Sequence, residues 1–593
     1  MTQNDRTPHF ARLMQRLDRF NPRTWGDILE IMDEIKDSIP IEVQSALSAP
    51  DLPLGSGTAF ITFDYGIDGV SIEIGKYARA LESIFKSSGG IDLHFIGGDF
   101  YPQAEAVLDP QWKRFTIPGI NGWSKWDGGM WFNALYYEEM PAQNPLSNQL
   151  AKEIYQQVVN IAQQLGAYII EKDISLLIPV NIASNPGNLA LGIAVALVTE
   201  GLGVHVINSN HDFYWEGGKS TKQREPGEEP GIRDHFFRNE ANSEFFNLFQ
   251  SLYPWNGRRW LQVNINRLQS LKLIEGFGFP PRVVSELSTA VSDAFFNIYT
   301  FDDVKLARLR MGLILSDGKE SLQSKDLKEH LANLAAWMKD QKPCVLGARS
   351  GLTLDPTSID FLVLLQPTRV IARKRIERDV RLIGSLLNHP PFRGIFEQNQ
   401  KMQVVLHITG PTPIEHQEDL ETVLDAYQDV LASVPLAIGE RIFLAFSVGS
   451  EEHPSFKSRD YERMTIEDIY RMATAVVFPS EIEGRGLPII EASASGVPLI
   501  CSRYKPEEVF ASVVGEALPF EKQIRYIQFP ETDFSEEFLN EVTGLLFTSD
   551  TRKELRTHNQ AAVRSRYSQA VLTDTFRHLL EKLDPISDDV SRS

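Results

Sequence analysis

The sequence predicts an α/β protein of two parallel-sheet halves behind an N-terminal helical extension. Three observations lead there. Short apolar runs with strand character alternate with longer runs of helical period, the pattern of a parallel sheet with crossover helices. That alternation occurs twice, on either side of a stretch near residues 340–358 that interrupts it. The chain has 593 residues, too many for one hydrophobic core.

Taken in order, residues 1–50 carry helical patterning only. Phe10, Leu13, Met14, Leu17 and Phe20 share one helical face, ringed by Arg12, Arg16, Arg19 and Arg23. Packing on the body or on a second subunit accounts for that face. A basic helix lying on a membrane surface is the alternative. The first half spans 51–350. Thr58–Phe63 reads as a buried strand, and a loop with Gly66 and Gly69 leads into a helix over Ile72–Phe85. Further strands are predicted at Leu93–Ile96, Leu176–Pro179 and Val204–Asn208, with helices at Leu150–Leu165 and Leu189–Glu200. Residues 213–241 are rich in Gly, Pro and charge and read as a surface insertion or lid, with too few apolar residues for a core.

The second half spans 351–565. It predicts strands at Phe361–Leu365, Val404–Ile408, Ile442–Phe446, Ala475–Phe478 and Leu499–Cys501, and helices at Ile376–Leu387 and Thr465–Met472. A last helix, Ala570–Leu583 within 566–593, is expected to cross back to the first half, followed by a loose tail from Pro585.

Composition narrows the function classes. Hydrophobic residues make up 42% and charged residues 23%, ordinary for a globular protein. No apolar run reaches the roughly 18 residues of a membrane span; Leu189–Leu202 is interrupted by Thr199 and Glu200. The first residues lack an apolar signal core, which argues against secretion. Cys344 and Cys501 are the only cysteines, excluding a disulfide framework or zinc ribbon and fitting a reducing cytoplasm. The net charge of −20 disfavours a nucleic-acid binder. An anionic substrate needs a local basic cluster to capture it against that field.

Two motifs supply such chemistry. After the Ala475–Phe478 strand comes Pro479-Ser480-Glu481-Ile482-Glu483-Gly484-Arg485-Gly486-Leu487-Pro488, and then a helical run from Ile489 to Ala494. Strand, glycine-bearing loop and helix start form an anion-binding device. Glu483 and Glu491 flank it eight residues apart. Acid beside an anion site makes sense where the ligand also carries hydroxyls, as a nucleotide sugar does. At the end of the Phe361–Leu365 strand lies Gln366-Pro-Thr-Arg369-Val-Ile-Ala-Arg373-Lys374-Arg375. Arg369 and Lys374 can clamp a diphosphate there. A solvated basic turn paired to Glu377 and Asp379 is the plain alternative.

Strand, Arg-x4-Lys, then Phe-Pro-Ser-x-x-Glu-Gly-x-Gly-x-Pro-x-x-Glu-Ala about a hundred residues on, resembles the nucleotide-binding half of retaining GT-B glycosyltransferases. More narrowly it resembles the family 4 group that includes sucrose-phosphate and trehalose synthases. The resemblance covers roughly 55–580 and is specific over 361–500. It implies two Rossmann-like domains facing across a cleft, and it implies roles residue by residue. Arg369 and Lys374 would hold the diphosphate, and Arg373 would join the donor-binding residues. Glu483 would accept from donor-sugar hydroxyls, helped by the backbone of Gly484, Arg485, Gly486 and Leu487, and Glu491 would bind the ribose. Gly66 and Gly69 would sit under the phosphates or acceptor. His211, at a strand end, would contact the donor sugar or reacting centre. Arg485 departs from many relatives and bears on donor preference.

The resemblance also implies retention by a front-face route in which the leaving phosphate takes the acceptor proton. No Asp-x-Asp metal motif is present; Asp302-Asp303 reads as a helix cap. The expectation is therefore no metal and no required cofactor, a nucleoside-diphosphate sugar as co-substrate, and Mg²⁺ at most stimulatory. Asp212, Tyr214 and Trp215 are the acceptor candidates. Trp123, Trp126 and Trp131 in a Gly-rich stretch can stack on a sugar, though large aromatics more often fill cores. The predicted function is hexosyl transfer, glucosyl or mannosyl, to a small soluble sugar, sugar phosphate or polyol acid. The partners are that pair of small molecules, with no nucleic acid, membrane association not favoured, and a homo-oligomer left open. A lipid or glycan acceptor, a non-catalytic binding protein, and a sugar-nucleotide epimerase are the competing readings.

Overall fold

The computed structural model describes residues 3–38 and 57–583, apart from 67, 143, 229, 413–415, 450 and 451. The expected helical patterning over 39–50 and the tail from Pro585 lie outside the described residues. The chain divides into two compact units, residues 1–290 with 569–593, and residues 291–568. Residues 291–350, expected in the first half, thus belong to the second unit.

The first unit opens with α1 (Gln3–Arg19) and α2 (Trp25–Asp37). Thr24 caps α2 in a reciprocal capping box with Asp27. The sheet strands are β1 (Gly57–Ile61), β2 (Leu93–Gly97), β3 (Lys113–Thr116), β4 (Ile174–Pro179), β5 (His205–Asn210), β6 (Trp260–Asn264) and β7 (Val284–Glu286), in order β3-β2-β1-β4-β5-β6-β7 and all parallel. Crossover helices include α3 (Gly69–Phe85), α4 (Pro145–Glu171), α5 (Leu189–Leu202) and α6 (Ser243–Leu252). The β1 and β4 stretches are buried along their whole length, and α5 everywhere but Gly201, which explains their near-continuous apolar sequence. β6 and β7 escaped the periodicity because Gln262, Asn264, Ser285 and Glu286 break up their apolar character.

The arginine-ringed apolar face of α1 is covered within this unit. Leu13 and Leu17 are buried, and α1 lies on α4 and α5. Gly166 of α4 leaves the space for Phe10: a Cβ there would meet the ring at 2.2 Å. Arg6 Nη1 donates to the Ile174 carbonyl at 2.7 Å, pinning the start of α1 to β4. No helix among the described residues is long and apolar enough to cross a membrane.

The second unit carries β8 (Lys325–Asp326), β9 (Cys344–Gly347), β10 (Phe361–Gln366), β11 (Gln403–Thr409), β12 (Ile442–Ser447), β13 (Ala475–Phe478), β14 (Leu499–Cys501) and β15 (Ile527–Gln528), ordered β8-β9-β12-β11-β10-β13-β14-β15. All pairs are parallel except β9 with β12. β9 lies in the stretch read as a link; its three apolar residues between polar flanks are too short a run to register as a strand. The helices used below are α7 (Phe301–Leu315), α8 (Glu377–Asn388), α9 (Ile466–Arg471), α10 (Leu487–Ser495) and α11 (Ser549–Tyr567). Asp303 does cap α7, in a capping box with Thr300. Finally α12 (Gln569–Lys582) returns to the first unit. It packs on α3, with the Phe576 and Tyr77 rings 5.2 Å apart.

Residues 213–241 have more apolar anchorage than their composition suggested. Tyr214 and Phe236 are buried, and Phe236 packs edge-on against Tyr136 at 5.0 Å. Arg233 ties the segment down by donating to the Phe213 carbonyl at 2.7 Å, and Arg224 pairs with Asp234.

Candidate active site

The second sheet reverses its order between β10 and β13. After β10 the chain builds outward through β11 and β12, and then returns to place β13 on the other side of β10. Such a switch point opens a crevice at the carboxyl ends of the strands. Both sequence motifs emerge there. The loop after β10 bears Arg369, Arg373 and Lys374, and the loop after β13 bears Glu483.

The two loops are joined by a buried ion pair. Lys374 Nζ donates to Glu483 Oε1, and each residue is only 7% exposed. Arg373 Nη1 lies 3.6 Å from the other carboxylate oxygen and hydrogen-bonds the Ile482 carbonyl. Burial pushes the Lys374 ammonium below its ordinary value; Glu483 opposes that shift, and the positive charges of Arg373 and Arg369 add to it. Three cations therefore converge on this point, against one deeply buried carboxylate. Arg369, in the same basic loop, is exposed.

The backbone holds this arrangement. Lys374 ends a single 3-10 turn, Ala372–Lys374, and Arg375 follows in the left-handed region at φ 52°. Arg375 pairs with Glu377 at 2.9 Å and Glu481 at 3.4 Å, which separates it from the Lys374 cluster. The Glu481 amide donates to the Arg373 carbonyl at 2.8 Å, and the Glu483 amide to the Lys505 carbonyl at 3.0 Å. Beneath the basic loop, Thr368 Oγ1 donates to Gln366 Oε1 at 3.0 Å and Gln366 Nε2 to Asp379 Oδ2 at 2.8 Å. Burial pushes the Asp379 carboxyl well up.

Gly484 is exposed and Arg485 half-buried, and Gly486 and Leu487 lead into α10. Gly486 is the N-cap, at φ 68°, and no side chain caps the helix. A Cβ at Gly486 would sit 2.5 Å from the Tyr504 hydroxyl oxygen, so glycine is required twice over, for conformation and for space. Tyr504 in turn donates to the Arg485 carbonyl at 3.3 Å. Glu491, half-buried one turn into α10, accepts from Tyr470 Oη at 2.7 Å. Tyr470 on α9 is fully buried, and burial together with Glu491 keeps its phenol protonated. Tyr470 and Tyr504 were invisible to motif reading. Tyr470 lies 21 residues from Glu491, with no spacing rule connecting them.

The first-unit candidates sit at strand ends of their own sheet. Its order turns at β1 and β4, and the Gly66–Gly69 loop leaves β1 there. Asp68 in this loop already accepts from the Val70 and Ser71 amides at 2.8 and 2.9 Å, capping α3. Gly69 has no neighbour within 4 Å of a built Cβ. His211 follows β5; its carbonyl accepts from Gln269 Nε2 at 3.0 Å and its ring meets the Tyr77 ring edge-on at 6.5 Å. The same Gln269 amide holds Glu216 at 3.0 Å. Burial pushes the Glu216 carboxyl up to about 7.

Of the acceptor candidates, Asp212 is half-exposed and paired with Arg233 at 3.2 Å. Trp215 is half-buried and stacks on Phe213 at 4.0 Å. Tyr214 is 2% exposed and packs on Phe249 at 4.6 Å, a core position. Trp126 and Trp131 are likewise buried, whereas Trp123 is 41% exposed.

Residues 442–521 match the family described as glycosyl transferases group 1. The matched stretch runs from β12 past β14, taking in Glu483 and Glu491 but not Arg369 or Lys374. Among curated proteins, the chain is similar to mannosylglucosylglycerate synthase of Petrotoga mobilis, 21% identical over 453 residues, covering 74% of this chain and 80% of that one. Among solved structures it is similar to a sucrose-phosphate synthase from Thermosynechococcus elongatus, at 12% identity and TM-score 0.48 over 89% of this chain and 99% of that one. It is also similar to an α,α-trehalose 6-phosphate synthase from Burkholderia multivorans, at 12% identity and TM-score 0.48 over 91% of this chain and 99% of that one.

Proposed function

We propose that this protein is a retaining GT-B glycosyltransferase of the family 4 kind, moving a hexosyl group from a nucleoside-diphosphate sugar to a small soluble acceptor. The observation that carries the reading is the meeting of Lys374, Arg373 and Glu483 at the switch point of the second sheet. Cations there suit a diphosphate, and carboxylates beside them suit sugar and ribose hydroxyls. The group 1 match over 442–521 supports it from an independent direction. The relative's name, a synthase of a glycosylated glycerate, supports a polyol-acid glycoside or similar small acceptor.

In this reading Arg369 and Lys374 hold the two phosphates and stabilise the charge that grows on the leaving group. Glu483 accepts from donor-sugar hydroxyls, with the Gly484–Leu487 backbone at the start of α10 beside it. Glu491, oriented by Tyr470, accepts from the ribose. His211 contacts the donor sugar, and Asp212 and Trp215 lie on the acceptor side. The sugar C1–O bond to the diphosphate breaks, the acceptor oxygen bonds C1 on the same face, and the acceptor proton passes to the leaving phosphate. Positioning and electrostatics thus carry the reaction, with no carboxylate nucleophile. The apolar face of α1 is covered by its own unit, which favours a soluble acceptor over a lipid one.

The test is a thermal-shift and donor-hydrolysis screen against UDP-, GDP- and ADP-sugars, with and without Mg²⁺. A donor at a hundred times its dissociation constant stabilises by about 2.7 kcal/mol. Transfer to glycerate glycosides, sugars and sugar phosphates follows with the donor found. A product of inverted anomeric configuration refutes retention, and silence with every donor refutes the transferase reading.

A further inference from the structure

We propose that Glu483 determines discrimination between donor and spent nucleotide, by competing with the diphosphate for Lys374. The inference rests on the donor-site reading above. Glu483 Oε1 accepts from the Lys374 ammonium, and both groups are buried. The ammonium has three donors, but a diphosphate oxygen on this buried Lys374 sets a second anion against Glu483, and the two compete for one charge. Among the described residues, the displaced Glu483 keeps Arg373, 3.6 Å from its second oxygen and already committed to the Ile482 carbonyl. A buried carboxylate stripped of its partner is costly.

An intact sugar nucleotide repays that cost, because its sugar hydroxyls donate to the released carboxylate. A free nucleoside diphosphate brings the same phosphates and no hydroxyls at that position, so the cost stands. The site therefore favours donor over product, and the carboxylate returns to Lys374 as product leaves. Glu481 provides the internal comparison. It lies two residues away in the same loop, but it is exposed and pairs with the half-exposed Arg375, at 3.4 Å.

The experiment is calorimetric titration of the full chain with UDP, GDP and ADP, and with the matching sugar nucleotides, for wild type, Glu483→Gln and Glu481→Gln. Glutamine is nearly isosteric and leaves Lys374 uncompensated. The expected result is that Glu483→Gln binds the nucleoside diphosphate about tenfold tighter or more, while the donor-to-product preference shrinks towards one. Glu481→Gln stays at wild-type affinity, which separates exchange at Lys374 from a general gain in positive charge. If Glu483→Gln does not fold, Glu483→Asp withdraws the carboxylate from Lys374 by one methylene and carries the same expectation at smaller size. Equal or weaker nucleotide binding by the folded variant overturns the proposal. So does equal tightening in both Gln variants. Absence of nucleotide binding by wild type overturns the donor-site reading itself.

Discussion

Lys374 and Glu483 illustrate how one pair can serve both folding and chemistry. Removing one member of a buried ion pair strands the other, at about 3–5 kcal/mol. Lys374→Ala is therefore expected to lower stability by an amount in that range, since Glu483 stays buried with only Arg373 at 3.6 Å to meet it. On the proposed function, turnover is expected to fall by about 10²-fold or more, because the cation assigned to the leaving phosphate is lost. Chemical denaturation and donor turnover, measured side by side, check both; wild-type turnover in a folded variant removes Lys374 from the site. Tyr470→Phe is the milder case. It deletes one hydrogen bond to Glu491, worth about 1 kcal/mol. The expectation is a several-fold rise in KM for the donor with kcat and melting temperature nearly unchanged. A matching loss in kcat would mean that Glu491 does more than make the ribose contact proposed for it.

At the scale of elements, the site is made by loops whose geometry the strands dictate. β10 and β13 are neighbours, so the loops after them open side by side, and the Glu481 amide can reach the Arg373 carbonyl. α10 begins where Gly486 turns at φ 68°. Gly486→Ala puts a Cβ 2.5 Å from the Tyr504 hydroxyl oxygen and into a left-handed conformation, a combined cost of about 1–3 kcal/mol. We expect a lower melting temperature and a donor-induced thermal shift reduced out of proportion to it, because the carboxylate loop and the helix start move together. Restoration of the shift by a second substitution, Tyr504→Ala, would confirm the steric cause. The strand-loop-helix pattern and the Glu-x7-Glu spacing were legible because both are local. Tyr470, Tyr504 and the Lys505 carbonyl were not, because they come from an earlier helix and a later loop.

At the scale of the whole molecule, each unit buries a neutral histidine. His205 begins β5 and His407 lies within β11, and burial pushes both down to about 3. For His205 the positive charges of Arg259 and Arg6 add to the effect. A depressed folded value means stability that is present above the ordinary histidine value near 6.5 and is lost as pH falls below it. Each group contributes a slope of about 1.4 kcal/mol per pH unit below that point. Half-buried Glu216 and buried Asp379 have raised values and act oppositely, losing stability as pH rises through their own range. The comparison is therefore between proteins. His407→Gln, whose amide can keep the bond to Ser447 Oγ, is expected to show a shallower loss of urea stability between pH 6.5 and 5 than wild type. An unchanged slope would mean that His407 is already protonated in the fold.

Composition, periodicity and motif spacing by themselves determined an α/β protein with two parallel-sheet regions, the amphipathic helix at the start, the Asp303 cap, and the two charged loops. These depend on residues within a turn or a strand of one another, where hydrophobic period and local hydrogen bonding decide the structure. The tertiary structure alone decided that residues 291–350 join the second unit, that β9 is a strand, and that Tyr214 fills a core. It alone placed Lys374 against Glu483, 109 residues away. Which loops become neighbours is a matter of strand order, and strand order is settled by burial across the whole sheet.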